Sequence, residues 1–300
     1  MKGMSAPAML LADAMPLCYQ AFHAIPPLSN PEGKPSNAVI GVLNAALRFV
    51  REEQPAAVAF VFDPKTPTHR HLAFPAYKAQ RKPMPDDLSA QSDRIAEGLR
   101  ALGFSAFDVP GFEADDAIAT LAVRFAGPFD VRVLSPDKDL LQLVRPGVIV
   151  VNPRTGARTD TDALRATWGL SPSQIPDYLA LVGDASDNLP GVLGVGPKTA
   201  HAWLEAHGDL EGILRAAETL APARARDALR ASADQARKVR ALAVLREDAP
   251  VDSTPESLAP RNPRSAAARA FLEREGLRTL LDRLFGKGPP PSRGLFDPPR

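Results

Sequence analysis

Three carboxylates fall within four residues, Glu113, Asp115 and Asp116, at the opening of an apolar helical pattern. Ala114, Ile118, Leu121, Ala122 and Phe125 behind them are spaced for one buried helix face. A helix start favours acids through its dipole and free amides, which accounts for one or two of the three. Like charges this close repel, and each resists ionising unless a cation is held among them.

More acids repeat the theme. Asp13 closes the apolar run from Met9, Asp63 closes the run from Ala57, and Asp137 and Asp139 follow Val131–Ser135. Asp184 and Asp187 sit in a Gly-containing loop after an apolar helix. Any one of these reads equally as a loop cap. All nine at one edge are untenable without divalent cations. The ligands are hard oxygens, with no Cys or His among them, which favours Mg²⁺ or Mn²⁺ over Zn²⁺. The histidines, at positions 23, 69, 71, 201 and 207, show no zinc spacing. Two such ions activate water and stabilise a leaving oxygen, so phosphoryl chemistry leads.

A second feature is Leu189–Ala200, which carries Gly191, Gly194, Gly196, Pro197, Lys198 and Thr199 between two helical stretches. Glycines admit close backbone approach, and the amides of a helix start beside Lys198 form an anion site. The spacing is neither that of a nucleotide P-loop nor, lacking a preceding strand, a dinucleotide fingerprint. A Gly/Pro turn between helices is the plainer alternative; a sequence-neutral grip on nucleic-acid backbone fits the composition better. Residues 64–87 are Pro-rich and basic, with Arg70, Lys78, Arg81 and Lys82, and read as an exposed, movable segment.

The elements that must position these groups alternate. Strands are expected at Met9–Asp13, Ala57–Asp63, Ser105–Val109, Val131–Ser135 and Val148–Asn152. Helices are expected over Asn37–Glu53, with Ser36 as N-cap, over Leu88–Leu102 and after Glu113. This is an α/β fold with a mainly parallel sheet flanked by helices, whose ligands gather outside the C-terminal strand ends. From Ser171 onward the strand signal vanishes. The division is expected as 1–165 for the α/β part, with 64–100 inside it as a basic segment, 166–285 for a helical part, and 286–300 as a flexible tail.

Composition sets the bounds. At 45% hydrophobic content, 300 residues bury a full core, and a net charge of +1 confines any nucleic-acid surface to a local patch. The single cysteine, Cys18, excludes an internal disulfide framework. With no signal-like segment or long apolar run, the expectation is a soluble cytoplasmic protein without a membrane partner.

Together these stretches resemble the 5′-nuclease (flap endonuclease) family, especially the 5′–3′ exonuclease domain of bacterial DNA polymerase I. The matching runs are Asp13 with Tyr19–Ala24, Phe60–Asp63, Tyr77–Arg81 with Pro83–Pro85, Phe112–Asp116, Asp137–Val144, and Gly183–Gly191 with Gly194–Ala200. The resemblance extends more loosely to about residue 285. It implies a PIN-like nuclease fold and a helix–hairpin–helix motif at Gly191–Lys198 that grips duplex, with K⁺ bound there. It further implies a metal-dependent phosphodiesterase acting on 5′ ends and 5′ flaps of branched DNA and on RNA–DNA primers in replication and repair.

By position, Asp13, Asp63, Glu113, Asp115 and Asp116 resemble the first metal's cluster; Asp137, Asp139, Asp184 and Asp187 resemble the second's. Two ions, or three, are implied. Lys78 and Arg81 resemble the arch pair that steadies the scissile phosphate; at i, i+3 they would share a helix face. Tyr77 would stack on a splayed base, and Arg70 belongs with the DNA-contacting residues. The chain departs from the family at Gln20, where Arg is usual, at Ala14 after Asp13, and at Pro136 before Asp137. Its 300 residues leave no room for a polymerase, so a stand-alone member is expected, and the resemblance implies a nucleoid-associated monomer working beside a DNA polymerase and a ligase.

Overall fold

The computed structural model describes residues 6–286. The stretch expected as a flexible tail lies, from 287 on, outside the described residues. The chain opens with β1 (Ala8–Asp13), α1 (Ala14–Ala24), α2 (Asn37–Glu53), β2 (Ala57–Phe62), α3 (His69–Ala73), α4 (Asp86–Ala101) and β3 (Ser105–Asp108). It continues with α5 (Ala114–Phe125), β4 (Asp130–Leu134), β5 (Val148–Val151), β6 (Arg158–Thr159) and α6 (Thr161–Trp168). Then come α7 (Ile175–Val182), β7 (Gly183–Asp184), β8 (Leu189–Pro190), α8 (Pro197–His207) and α9 (Leu210–Arg215). The last helices are α10 (Ala223–Ala231), α11 (Ala233–Ala243), α12 (Ala266–Arg274) and α13 (Arg278–Phe285).

Six strands pair in the order β3-β2-β1-β4-β5-β6, all parallel except the last pair. Their unbroken apolar runs follow from burial on both faces. Met9 and Leu11 face one core layer with α5, α6 and α7, while Leu10 and Ala12 face the other with α1, α2 and α4. Met9, Leu10 and Leu11 are fully buried, each contributing about 1.5–3 kcal/mol. The chain runs β1, β2, β3 outward and then returns to the far side of β1 as β4. Strand order therefore reverses between β1 and β4, which opens a crevice at their C-terminal ends.

Two details depart from expectation. Ser36 stands at the N-cap of α2 but makes no side-chain cap. Gln91 on α4, fully buried, takes that role, accepting from Ala38 N and Val39 N at 2.8 and 3.2 Å. The last helices also leave the helical part. Ala268, Phe271, Leu272, Leu277 and Leu280 join the core layer of α1, α2 and α4, and Glu275 pairs with Arg94 of α4. No helix among the described residues is long and apolar enough to cross a membrane.

Candidate active site

The acids gather at the β1/β4 crevice. Asp13, at the end of β1, accepts from Ser135 Oγ at 3.1 Å; Ser135 Oγ accepts from Asp137 N at 3.1 Å. Asp137 Oδ1 in turn accepts from Asp139 N at 3.0 Å. Just past β2, Asp63 accepts from Ala114 N at 2.9 Å and so holds the first turn of α5 against the neighbouring strand. Asp184 ends β7, and Asp187 arrives from the turn between β7 and β8.

The electrostatics show crowding. Burial, then the Asp63 charge, pushes Asp13 up to about 8; burial, then the Asp137 charge, pushes Asp139 up to about 7. Asp115 is raised well above the carboxylate range by burial and by the charges of Asp13, Asp137 and Asp63. Asp63 opens to solvent on one side, yet the protein crowding its other sides strips enough hydration to raise it as well. Asp139 Oδ1 is buried with no hydrogen-bond partner.

Cations stand among the remaining acids. Lys78 Nζ donates to Glu113 Oε1 at 2.7 Å, Arg81 to Asp187 Oδ1 at 2.7 Å, and Lys138 Nζ to Asp184 Oδ2 at 2.6 Å. Burial opposes ionisation of Glu113 and Asp184, but the Lys78 charge on Glu113 and the Lys138 hydrogen bond to Asp184 outweigh it and hold both below their ordinary values. The Tyr77 hydroxyl lies 2.9 Å from Glu113 Oε2 and 2.8 Å from Asp187 Oδ2, with one proton to share between them.

With these ammonium and guanidinium groups interposed, no three metal-ligating side chains among the described residues stand close enough to hold an ion as arranged. The donor set nonetheless fits a hard divalent cation. Its members are carboxylate oxygens, four of the acids are raised by burial and neighbouring carboxylates, and one buried oxygen lacks a hydrogen-bond partner.

The segment expected as an arch is docked rather than free. Lys78 N donates to Asp187 O, Asn188 Nδ2 to Ala76 O, Gln80 Nε2 to Ala185 O and Arg81 Nε to Ser186 O. Lys78 adopts φ 54°, a left-handed conformation uncommon outside Gly, Asn and Asp. Lys78 and Arg81 therefore converge through a turn that bonds Arg81 N to Lys78 O, not along a helix face as the spacing suggested.

Two residues expected to meet DNA do not lie at the surface. Arg70 is 2% exposed, because its guanidinium is the counter-ion of Asp116 and Glu113. Tyr77 is 3% exposed, its ring covered and its hydroxyl held between two acids, so it offers no face for a base. Asp116, expected among the metal ligands, is fully buried and forms a capping box with Glu113 at the start of α5. Lys138 was missed; its position between Asp137 and Asp139 was the available signal.

The hairpin glycines divide by role. A Cβ on Gly191 would meet Val182 O at 2.3 Å, so Gly191 exists to let β8 lie against the end of α7. A Cβ on Gly194, at φ 80°, would touch only Ala225 Cα, at 4.0 Å, and Gly196, the N-cap of α8, faces open space. Lys198 beside them is exposed, Thr199 is half-buried, and Leu193 at the tip is 71% exposed.

Comparison with known proteins places this geometry. Residues 8–169 match the model of the 5′–3′ exonuclease N-terminal resolvase-like domain, and residues 170–266 match that of the 5′–3′ exonuclease C-terminal SAM fold. A 5′–3′ exonuclease of Aquifex aeolicus is 43% identical over 206 residues, covering 68% of this chain and 71% of the relative. The thermostable DNA polymerase I of Thermus thermophilus is 40% identical over 273 residues, 91% of this chain; the chain spans 32% of that polymerase's length.

Among solved structures, T5 5′-exonuclease with bound zinc superposes with a TM-score of 0.68 at 20% identity, covering 89% of this chain and 99% of the other. The catalytic core of Rad2 in complex with DNA substrate gives 0.60 at 17% identity, covering 94% and 93%. These two share the fold. The two domain models, met in family order from residue 8 to residue 266, establish that the chain belongs to the 5′–3′ exonuclease family of nucleases.

Proposed function

We propose that the chain hydrolyses phosphodiester bonds at 5′ ends and 5′ flaps of branched DNA, and in RNA–DNA primers, with Mg²⁺ or Mn²⁺. One observation carries the reading: Lys78 and Arg81, from a single turn, end on Glu113 and Asp187, acids of α5 and of the β7–β8 turn. A phosphate entering the pocket finds two cations already aimed inward.

Asp13, Asp63, Glu113, Asp115, Asp137, Asp139, Asp184 and Asp187 are the residues that would hold two ions, or three. Bound there, the ions supply an activated water and charge stabilisation on the phosphoryl oxygens. Lys78 and Arg81 exchange their carboxylate partners for the scissile phosphate and steady its developing charge. The backbone of Gly194 and Gly196, with Lys198 and Thr199, takes the duplex backbone of any sequence, with K⁺ as the ion of that hairpin. Action on flaps and primers puts the protein beside a polymerase and a ligase on chromosomal DNA.

The test is cleavage of end-labelled 5′-flap, nicked and overhang duplexes, with and without Mg²⁺. Metal-dependent product at the flap junction or 5′ end supports the proposal. Tight flap binding without product would make the protein a binder, and hydrolysis of small phosphate esters alone would make it a phosphatase.

A further inference from the structure

Arg70 lies in α3, at the foot of the arch segment, yet its guanidinium is buried against groups from two other regions. Nε donates to Leu242 O at 2.8 Å. One terminal nitrogen donates to Asp116 Oδ2 at 2.6 Å and Glu113 Oε2 at 3.1 Å; the other donates to Asp116 Oδ1 at 2.8 Å and Val244 O at 3.2 Å. All five N–H protons of the fork are thereby used.

Asp116 is equally committed. Besides the fork it accepts from Glu113 N at 3.2 Å and Arg246 N at 2.9 Å, which fills the roughly four acceptor positions of a carboxylate. It has no lone pair left for a metal ion. Leu242, Val244 and Arg246 belong to α11 and the segment leaving it, and α11 packs along α7, which runs into Asp184. One fully paired fork therefore joins the arch foot, the acid helix and the DNA-gripping helical part. Glu113 is the member of this network that also touches Tyr77 and Lys78.

We propose that Arg70 and Asp116 form a positioning pair for catalysis: they fix Glu113 and the foot of the arch, and neither binds DNA nor metal. The inference rests on the nuclease reading of the acid pocket. A neutral, bidentate pair of this kind transmits geometry without competing for divalent ions, whereas an Asp116 free to ligate would leave the buried Arg70 with Glu113 Oε2, at 3.1 Å, as its one remaining carboxylate partner.

The test has two arms. In wild-type protein labelled with ¹⁵N-arginine, the Arg70 Nη–H resonances, the ones bonded to Asp116, should be protected from exchange and should stay so through a Mg²⁺ titration. Loss of protection as Mg²⁺ binds would show Asp116 leaving the fork to become a ligand, and would overturn the proposal. This arm needs no variant and no cleavage, so its outcome is independent of whether the nuclease reading holds.

The second arm compares Arg70→Lys, Glu113→Gln and the double variant on a 5′ flap. Lysine keeps the charge but not the fork. A misplacement of Glu113 should lower kcat by ~10- to 100-fold while KM moves by less than ~3-fold. In the Glu113→Gln background the same change should cost less than ~2-fold, because Arg70 acts through Glu113. Independent, multiplying losses would overturn the proposal, as would a raised KM with a shallower salt dependence, the signature of a lost phosphate contact. Should Arg70→Lys fail to fold, Arg70→Gln with Asp116→Asn removes both buried charges together, and the same kinetic comparison is read on that pair.

Discussion

Lys78 holds Glu113 at 2.7 Å from a backbone conformation, φ 54°, that a lysine rarely adopts. Two hydrogen bonds secure the strained turn: Lys78 N donates to Asp187 O at 3.0 Å and Asn188 Nδ2 to Ala76 O at 2.7 Å. The ammonium is thus placed by the Asp184–Asn188 loop and points at an acid of α5. Strain kept in place by its surroundings is a common form of preorganisation, as the proposed role of Lys78 at the scissile phosphate requires.

Lys78→Ala is expected to lower the single-turnover cleavage rate by ~10²–10³-fold with modest loss of flap affinity, since one stabiliser of developing charge is removed. Rapid-quench kinetics at saturating enzyme check this. An unchanged rate would put Lys78 outside the reacting centre.

Chelation should abolish activity. EDTA is expected to leave no cleavage, Mg²⁺ or Mn²⁺ to restore it, and Ca²⁺ to support flap binding with little turnover because its coordination is longer and looser. Cleavage persisting in EDTA would remove metal ions from the account.

The pH dependence of stability has a definite sign. Asp13, pushed up to about 8, and Asp139, pushed up to about 7, bind protons in the folded metal-free protein that the unfolded chain has already released. Stability should therefore fall as pH rises from about 4 toward 8, because the unfolded state binds fewer protons there. Glu113 and Asp184, held low, act oppositely: their contribution is present above ordinary carboxylate pKa values and lost as pH falls through their folded ones. Thermal melts of metal-free protein should show Tm declining between pH 6 and 8, with Mg²⁺ flattening the decline. A Tm rising across that interval would contradict the crowding of the acids.

Gln20, on α1 where the family resemblance leads one to expect Arg, offers a gain-of-function check. Gln20→Arg is expected to raise the flap-cleavage rate or leave it unchanged. A large loss in a steady-state assay would show a pocket rebuilt around glutamine.

The acids ending strands were legible because burial on both faces writes a strand as an unbroken apolar run, and the first polar residue after it marks the sheet edge. Asn37–Glu53 was legible from end to end for a related reason: its apolar spacing is broken only where the helix stops. Arg70 and Tyr77 were misread because a Pro-rich basic segment looks solvated on average, while the partners that bury them lie 36 to 174 residues away in sequence. Long-range pairing leaves no local pattern. The same holds for Gln91, whose amide caps a helix about fifty residues earlier, and for α12 and α13, whose apolar faces do not say which layer they join. At Asp116 the plain reading, an acid that a helix start favours, describes what the side chain does.

The central claim is that the acid pocket cuts while the hairpin grips, and paired double variants on one flap substrate separate the two. Asp184→Asn with Asp187→Asn frees Lys138 and Arg81 from their partners. Flap affinity in Ca²⁺ should persist or tighten while Mg²⁺-dependent single-turnover cleavage collapses. Gly194→Asp with Lys198→Glu puts acids on the open face of the hairpin, so affinity should drop and lose salt sensitivity while much of the single-turnover rate at saturating enzyme survives. If both double variants lose binding and cleavage in parallel, the division of labour is wrong.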